Sequence, residues 1–210
     1  MLNELPSPFL IDRTLTRIDG DAEPVRRCFI QHRAVALTQA FTPAFLNTLM
    51  ALADRSEYIR DTTYDLAHRE REAPGIAGGA LALALRRENL LVWLQSVTQS
   101  LPLLTVDGDI MRNWPGDADR LYWHDDLSDR HGNPRRRLGV TIGMGDRAYD
   151  GGTFALRRKS SGEELARYRH VRPGSILLFE VDSYLEHRVY PLTSGGPRRV
   201  FVGWFLSEST

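Results

Sequence analysis

The sequence predicts a mainly β protein: a jelly-roll or other closed double-sheet core with helices packed outside at its N-terminal end. Three observations predict it. The 210 residues are 42% hydrophobic and 26% charged, which is a globular composition. The pattern changes near residue 102, with helical periodicity before it and short apolar runs after it. Those runs, seven or eight of them, are separated by turn signals at the spacing of a sandwich or barrel. No internal repeat or low-complexity linker interrupts the chain. The expected organisation is one domain over residues 1–210. Residues 1–101 supply an N-terminal strand and supporting helices, and 102–210 supply the β core.

Arg33-Ala-Val-Ala-Leu37 reads as a short strand. Thr42-Pro43 is a helix start, an N-cap followed by proline in the first turn, and Phe45, Leu46, Leu49, Met50 and Leu52 keep a helical spacing. A second helix is expected from Leu83 to Leu101, with Leu90, Leu91, Trp93, Leu94 and Val97 as its apolar face. Residues 60–80 mix charge and glycine and read as a loop that could act as a lid. Beyond 102 the expected strands are Leu121–His124, Leu138–Met144, Thr153–Arg157, Leu165–Val171, Ser175–Glu180, His187–Tyr190 and Arg199–Leu206. Asp150-Gly-Gly, Pro173-Gly174 and the segment Thr193–Pro197 form the turns.

Charge and hydropathy exclude several classes. Twenty-seven basic residues balance 27 acidic ones, so binding to nucleic acid through bulk charge is not expected. Mean hydropathy is −0.33. The longest apolar run, Ile76–Leu85, falls well short of the roughly 18–20 residues of a membrane helix. The N-terminus has no basic region before an apolar stretch, and the one cysteine, Cys28, cannot form an internal disulfide. A reducing cytoplasm is the expected compartment. Lys159 is the only lysine, so 26 basic residues are arginine. Genome composition accounts for that bias more simply than selection for anionic ligands does.

The chemistry centres on His124-Asp125-Asp126. On an extended chain residues i and i+2 share a face, so His124 and Asp126 can reach one metal while Asp125 points away. His187, 61 residues beyond Asp126, lies at one end of another expected strand and offers a third ligand. Two histidines and one carboxylate with open positions are the donor set of non-haem Fe(II) oxygenases. Zinc accepts the same donors. Eleven residues after His187 come Arg198 and Arg199, either of which could pair with a carboxylate in bidentate fashion. Alternation does not choose between them. Val200, Val202 and Trp204 share a face with Arg198, and Phe201 and Phe205 share one with Arg199.

Taken together, four stretches resemble the 2-oxoglutarate and Fe(II)-dependent dioxygenases, most nearly the prolyl-4-hydroxylase-like group. They are His124-Asp125-Asp126, Tyr149-Asp-Gly-Gly-Thr-Phe154, Pro173-Gly-Ser-Ile-Leu-Leu-Phe179 and the run from His187 to Arg198. The resemblance covers about residues 105–206, and Phe41–Leu49 is similar to the family's opening helix. It implies a double-stranded β-helix, cupin-like core with iron held by His124, Asp126 and His187. It also implies 2-oxoglutarate as co-substrate, its distal carboxylate on a basic residue six before an aromatic. Counting back from Trp204 chooses Arg198. Tyr122, sharing a face with His124, is expected in the pocket as a further cofactor contact. Two departures stand out: Asn113 occupies the usual tyrosine place, with Trp114 displaced by one, and the loop from His187 to Arg198 is one residue longer than usual.

The implied activity is hydroxylation of a C–H bond of an amino acid, peptide residue or small metabolite, with release of succinate and CO₂. O₂ and a small-molecule or peptide substrate are the implied partners. Asp126 argues against the halogenating branch, whose relatives keep a small residue there. Trp204 stands where nucleic-acid demethylases carry a second arginine. Two other readings are a non-catalytic β-barrel binding or regulatory protein and a zinc hydrolase, although no evident general base lies nearby. His32, His68, His131 and His170 are expected to be solvated or locally hydrogen-bonded, and Cys28 to be a small buried residue. Tyr122, Trp123 and Trp204 are expected to be core more than substrate platform. Arg135-Arg136-Arg137 is expected to be a solvated turn.

Overall fold

The computed structural model describes residues 1–62, 69–116, 122–128 and 132–208. Three short strands open the chain: β1 (Glu4–Pro6), β2 (Phe9–Ile11) and β3 (Thr16–Ile18). Helix α1 (Glu23–His32) and strand β4 (Ala34–Thr38) follow. Helix α2 (Pro43–Arg55) begins as the sequence predicts, with Thr42 Oγ1 accepting from the Phe45 N–H at 3.4 Å. Its Phe45, Leu49 and Ala53 are buried at helical spacing.

Of the region expected to be a loop or lid, residues 63–68 lie outside the described residues, and the rest belongs to the antiparallel pair β5 (Glu57–Asp61) and β6 (Arg69–Ala73) and to helix α3 (Ile76–Leu85). The charge that obscured β6 pairs across strands: Arg69 with Asp61 at 2.7 Å, and Glu70 with Arg112 at 2.5 Å. The buried Glu72 carboxylate accepts from the backbone of Ala77 and Gly78, both at 2.8 Å, and so caps α3 from the neighbouring strand. The expected helix from Leu83 to Leu101 is also corrected. Arg86 and Arg87 separate α3 from α4 (Glu88–Thr98), because Arg87 turns to an extended conformation and its guanidinium binds Thr16 and Arg13.

The core strands are β7 (Thr105–Asn113), β8 (Arg136–Gly143), β9 (Tyr149–Gly151), β10 (Phe154–Arg158), β11 (Glu164–Tyr168) and β12 (Ile176–Glu180). Then come β13 (Leu185–Val189), β14 (Leu192–Gly195) and β15 (Arg198–Leu206). An eight-stranded sheet runs β1-β4-β12-β8-β15-β7-β6-β5. Opposite it lie the three-stranded sheet β11-β10-β13 and the pair β14-β9. These two layers form the jelly-roll core, with helices outside the larger sheet.

Strand alternation assigns the two faces. Val35, Leu37, Val140, Ile142, Leu178, Phe201 and Phe205 pack against the helices through Phe45, Leu49, Leu81 and Leu94. The opposite face sends Ala36, Leu177, Phe179 and Trp204 toward Phe154, Leu156 and Tyr168 of the smaller sheet. The site lies between the sheets, on this second face. Among the described residues, no helix is long and apolar enough to cross a membrane.

Candidate metal centre

His124, Asp126 and His187 converge. One donor atom from each lies within 4.8 Å of the others, and His187 Nε2 is 3.6 Å from an Asp126 oxygen. That separation is too long for a hydrogen bond and leaves room for a shared ion. His187 sits on β13, with Phe154 stacked at 5.6 Å and Phe179 at 4.9 Å between ring centres. Burial pushes its pKa down to about 4 against the opposing pull of the Asp126 carboxylate, so the imidazole is held neutral, the form that binds metal. His124 is not part of a full strand as expected. It makes a single antiparallel bridge to His187, with backbone bonds of 3.1 and 2.9 Å, and Leu121 lies outside the described residues. His124 Nδ1 contacts the Tyr122 carbonyl at 2.8 Å, where it donates and leaves Nε2 for the pocket.

Asp126 is 6% exposed and is held from behind. The Trp204 indole N–H donates to its carboxylate at 2.6 Å, and the Arg136 guanidinium lies 3.7 Å away. Arg136 also stacks 3.7 Å over the Trp204 ring and donates to the Asp126 carbonyl at 3.2 Å. Arg136 was expected in a solvated turn. It is buried, because it belongs to β8 and faces this knot. Trp204, expected mainly as core, lines the pocket. Its face, shared with Arg198 through alternation, was the available signal; nothing in the sequence marked Arg136.

Asp125 points away from the cluster as alternation predicts, but not into water. It is 4% exposed, and its carboxylate accepts from the Leu127 and Ser128 backbone, the Ser128 hydroxyl and Lys159. Burial opposes its ionisation, yet the Lys159 ammonium and the Ser128 donors hold its pKa well below the usual carboxylate range.

The pocket between the sheets is lined by the three ligand candidates and by Arg69, Met111, Asn113, Thr141, Val189, Arg198 and Val202, among others. Its empty volume is about 820 Å³, open solvent included. The alternation ambiguity resolves in favour of Arg198, which is 5% exposed and faces the pocket. Arg199 faces the helix layer, where it pairs with Asp54 at 2.6 Å and donates to the Met144 carbonyl at 2.8 Å. Gly152, at φ +64°, leaves room for Arg198; a Cβ there would lie 2.9 Å from its Cδ. Among the described residues, Arg198 Nε and Asn113 Nδ2 are buried donors without a hydrogen-bond partner. The two residues are cross-strand neighbours. Burial pulls the Arg198 pKa down, opposed by Tyr149, and an anion beside the guanidinium would offset the cost of burying its charge.

Tyr122 is placed differently from the expectation. It is 61% exposed, belongs to no strand and is not among the residues that line the pocket. His170 is buried between Thr141 and Ser175, both at 2.8 Å. His32 bonds the Leu165 carbonyl at 3.0 Å, while His68 and His131 lie outside the described residues. Cys28 is half-buried, and burial pushes its thiol pKa up.

Residues 110–206 match the family model of the 2OG-Fe(II) oxygenase superfamily, a span that contains all three ligand candidates and Arg198. That span runs from within β7 to the end of β15, and over it the chain is similar to iron- and 2-oxoglutarate-dependent oxygenases. Its fold is that of the prolyl-4-hydroxylase-like group. It resembles a 2OG-Fe(II) oxygenase family oxidoreductase from Burkholderia pseudomallei with TM-score 0.64 and 17% identity, over 90% of each chain. It resembles a Pseudomonas putida prolyl-4-hydroxylase with TM-score 0.64 and 20% identity, over 90% of this chain and 100% of that one. A prolyl hydroxylase from Trichoplax adhaerens, in complex with a hypoxia inducible factor peptide fragment, is similar at TM-score 0.61 and 13% identity, over 88% of each chain. No curated protein matches the chain by sequence.

Proposed function

We propose that this oxygenase hydroxylates a C–H bond of an amino acid, peptide residue or small metabolite. In this reading His124, Asp126 and His187 hold one Fe(II), and Arg198 binds the distal carboxylate of 2-oxoglutarate. The observation that carries it is the convergence of three donors of the right types within 4.8 Å, in a pocket that also presents a buried arginine. Fe(II), when bound, supplies the redox chemistry in which O₂ and 2-oxoglutarate are consumed, succinate and CO₂ are released, and one oxygen atom enters the substrate.

The chain's own residues position and exclude. Tyr122's carbonyl fixes the His124 tautomer, and burial keeps His187 neutral. The Trp204 indole and the Arg136 guanidinium orient the Asp126 carboxylate. Phe154, Phe179, Val189 and Val202 form the apolar wall that limits water at the reacting centre. The unpartnered Arg198 Nε supports the carboxylate assignment, because a buried guanidinium without an anion is incompletely satisfied. Tyr122, exposed and off the pocket wall, is not included among the cofactor contacts.

A peptide residue is kept among the substrates because the fold also serves the peptide-bound Trichoplax enzyme, an argument from analogy. We read the 210 residues as one domain, since the large sheet draws strands from both sides of residue 102. The half-buried free thiol of Cys28 agrees with a reducing cytoplasm.

The test is turnover of 2-oxoglutarate by protein loaded anaerobically with Fe(II) or with Zn(II), then exposed to O₂. Succinate should appear with Fe(II) alone and should be lost in Asp126→Ala. Equal binding of both metals without succinate from any candidate substrate would favour the hydrolase or binding-protein readings.

A further inference from the structure

We propose that Lys159 is a positioning residue of the iron site, acting through Asp125 on the segment that carries His124 and Asp126. The inference rests on the metal assignment above and extends it to a residue outside the pocket. The two ligands lie on a segment with almost no ladder of its own: one bridge joins His124 to His187, and residues 125–128 belong to no strand. Trp204, Arg136 and the Asn133 N–H hold Asp126, and the remaining anchor of the segment is Asp125, whose side chain is 3% exposed. One carboxylate oxygen accepts from Leu127 N at 2.8 Å and Ser128 N at 2.6 Å, closing a tight local turn. The other accepts from Ser128 Oγ at 2.6 Å and from the Lys159 ammonium.

Lys159 follows β10 directly, and its backbone N–H donates to the Tyr184 carbonyl at 2.9 Å, just before β13. All three ligand candidates are therefore referenced to the same two strands. His187 belongs to β13, His124 is bridged to it, and Asp126 is tethered beside it through the pair of Asp125 and Lys159. Without the ammonium, Asp125 becomes a buried carboxylate lacking its counter-charge. Movement of the segment toward water relieves that cost, and it carries both ligands with it.

Because Lys159 is the sole lysine, amine chemistry addresses it almost alone. The test titrates Mn(II), which needs no O₂ and no turnover, into metal-free Lys159→Met, Lys159→Arg and wild type, with urea stability measured in parallel. Loss of a group that orients metal ligands typically weakens metal binding by ~10–100-fold. That loss is expected for Lys159→Met, with Lys159→Arg within a few-fold of wild type. The second arm treats wild type with acetic anhydride, which removes the charge, or by reductive methylation, which keeps it. Lys159→Arg treated identically controls for the N-terminal amine. Acetylated wild type should bind Mn(II) as weakly as Lys159→Met, and methylated protein should bind normally; if Lys159→Met does not fold, this arm decides. Wild-type affinity in Lys159→Met or in the acetylated protein, even with lowered urea stability, would leave Lys159 a structural residue only and overturn the proposal. Failure of wild type to bind Mn(II), or binding that survives Asp126→Ala, would instead sink the metal assignment, and this inference with it.

Discussion

Arg198 and Arg199 are adjacent, chemically identical and placed on opposite faces of one strand, so each is the other's control. Arg198 is 5% exposed, lines the pocket and pairs with no carboxylate among the described residues. Arg199 lies under the helices and pairs with Asp54, whose side chain is 60% exposed. If Arg198 holds the co-substrate, Arg198→Ala leaves a buried carboxylate unpaired, which costs ~3–5 kcal/mol. At ~1.4 kcal/mol per tenfold, 2-oxoglutarate binding should weaken by on the order of 100-fold or more. Arg198→Lys should retain part of the affinity, since a point charge still pairs without the fork. Arg199→Ala should leave binding unchanged and lower stability by about 1 kcal/mol at most, the range of a half-solvated pair. The free protein adds a second readout. Removing a buried guanidinium that has no carboxylate partner should leave the urea stability of metal-free Arg198→Ala at or above wild type. The assay is anaerobic titration of 2-oxoglutarate into each Fe(II)-loaded variant, followed by charge-transfer absorbance. A crippled Arg199→Ala beside a normal Arg198→Ala would refute the face assignment, and two normal variants would refute the co-substrate site.

Trp204→Phe keeps the ring but removes the N–H on Asp126, so Mn(II) affinity should fall by ~10–100-fold; an unchanged isotherm would deny the indole any orienting role. Gly152→Ala forces an L side chain to φ +64°, about 1–2 kcal/mol in urea unfolding, and pushes a Cβ onto Arg198 Cδ. Weaker 2-oxoglutarate binding should accompany that loss, and intact binding would show that Gly152 does not shape the pocket. His170 is buried and its pKa lies well below 6.5, so below pH 6.5 the unfolded chain takes up a proton that the native state refuses. Stability should therefore fall as pH drops from 6.5, with this residue contributing up to ~1.4 kcal/mol per pH unit. His170→Gln should flatten the urea-derived pH profile by that slope, and an identical slope would mean His170 protonates in the native state.

How much was legible varied with what each residue needs from its surroundings. Thr42-Pro43 and the β4 segment were readable because a cap and an apolar run are local properties, settled within a few residues. His124, Asp126 and His187 were readable as a set because metal ligation restricts residue type, and because spacing on an extended chain fixes which side chains share a face. The lone apolar pattern of residues 83–101 could not show the break at Arg86-Arg87, since the Arg87 side chain leaves the helical path to bind Thr16 and Arg13, partners 71 and 74 positions away. The strand β6, Arg-Glu-Arg-Glu-Ala, was illegible for a related reason. Its charges look solvated until Asp61, Arg112 and Asp109 are placed across from them.

The donor set and the β core were legible in the amino-acid order alone, because donor identity, alternation and turn residues act over short distances. Packing in three dimensions shows which arginine enters the pocket, that Tyr122 lies outside it, and that Trp204, Arg136 and Lys159 contact the segment carrying His124 and Asp126. Those outcomes depend on which layer covers each face of a strand and on side chains meeting across 10 to 78 residues of chain. A linear pattern records what each face can bury, but packing sets what is buried against it.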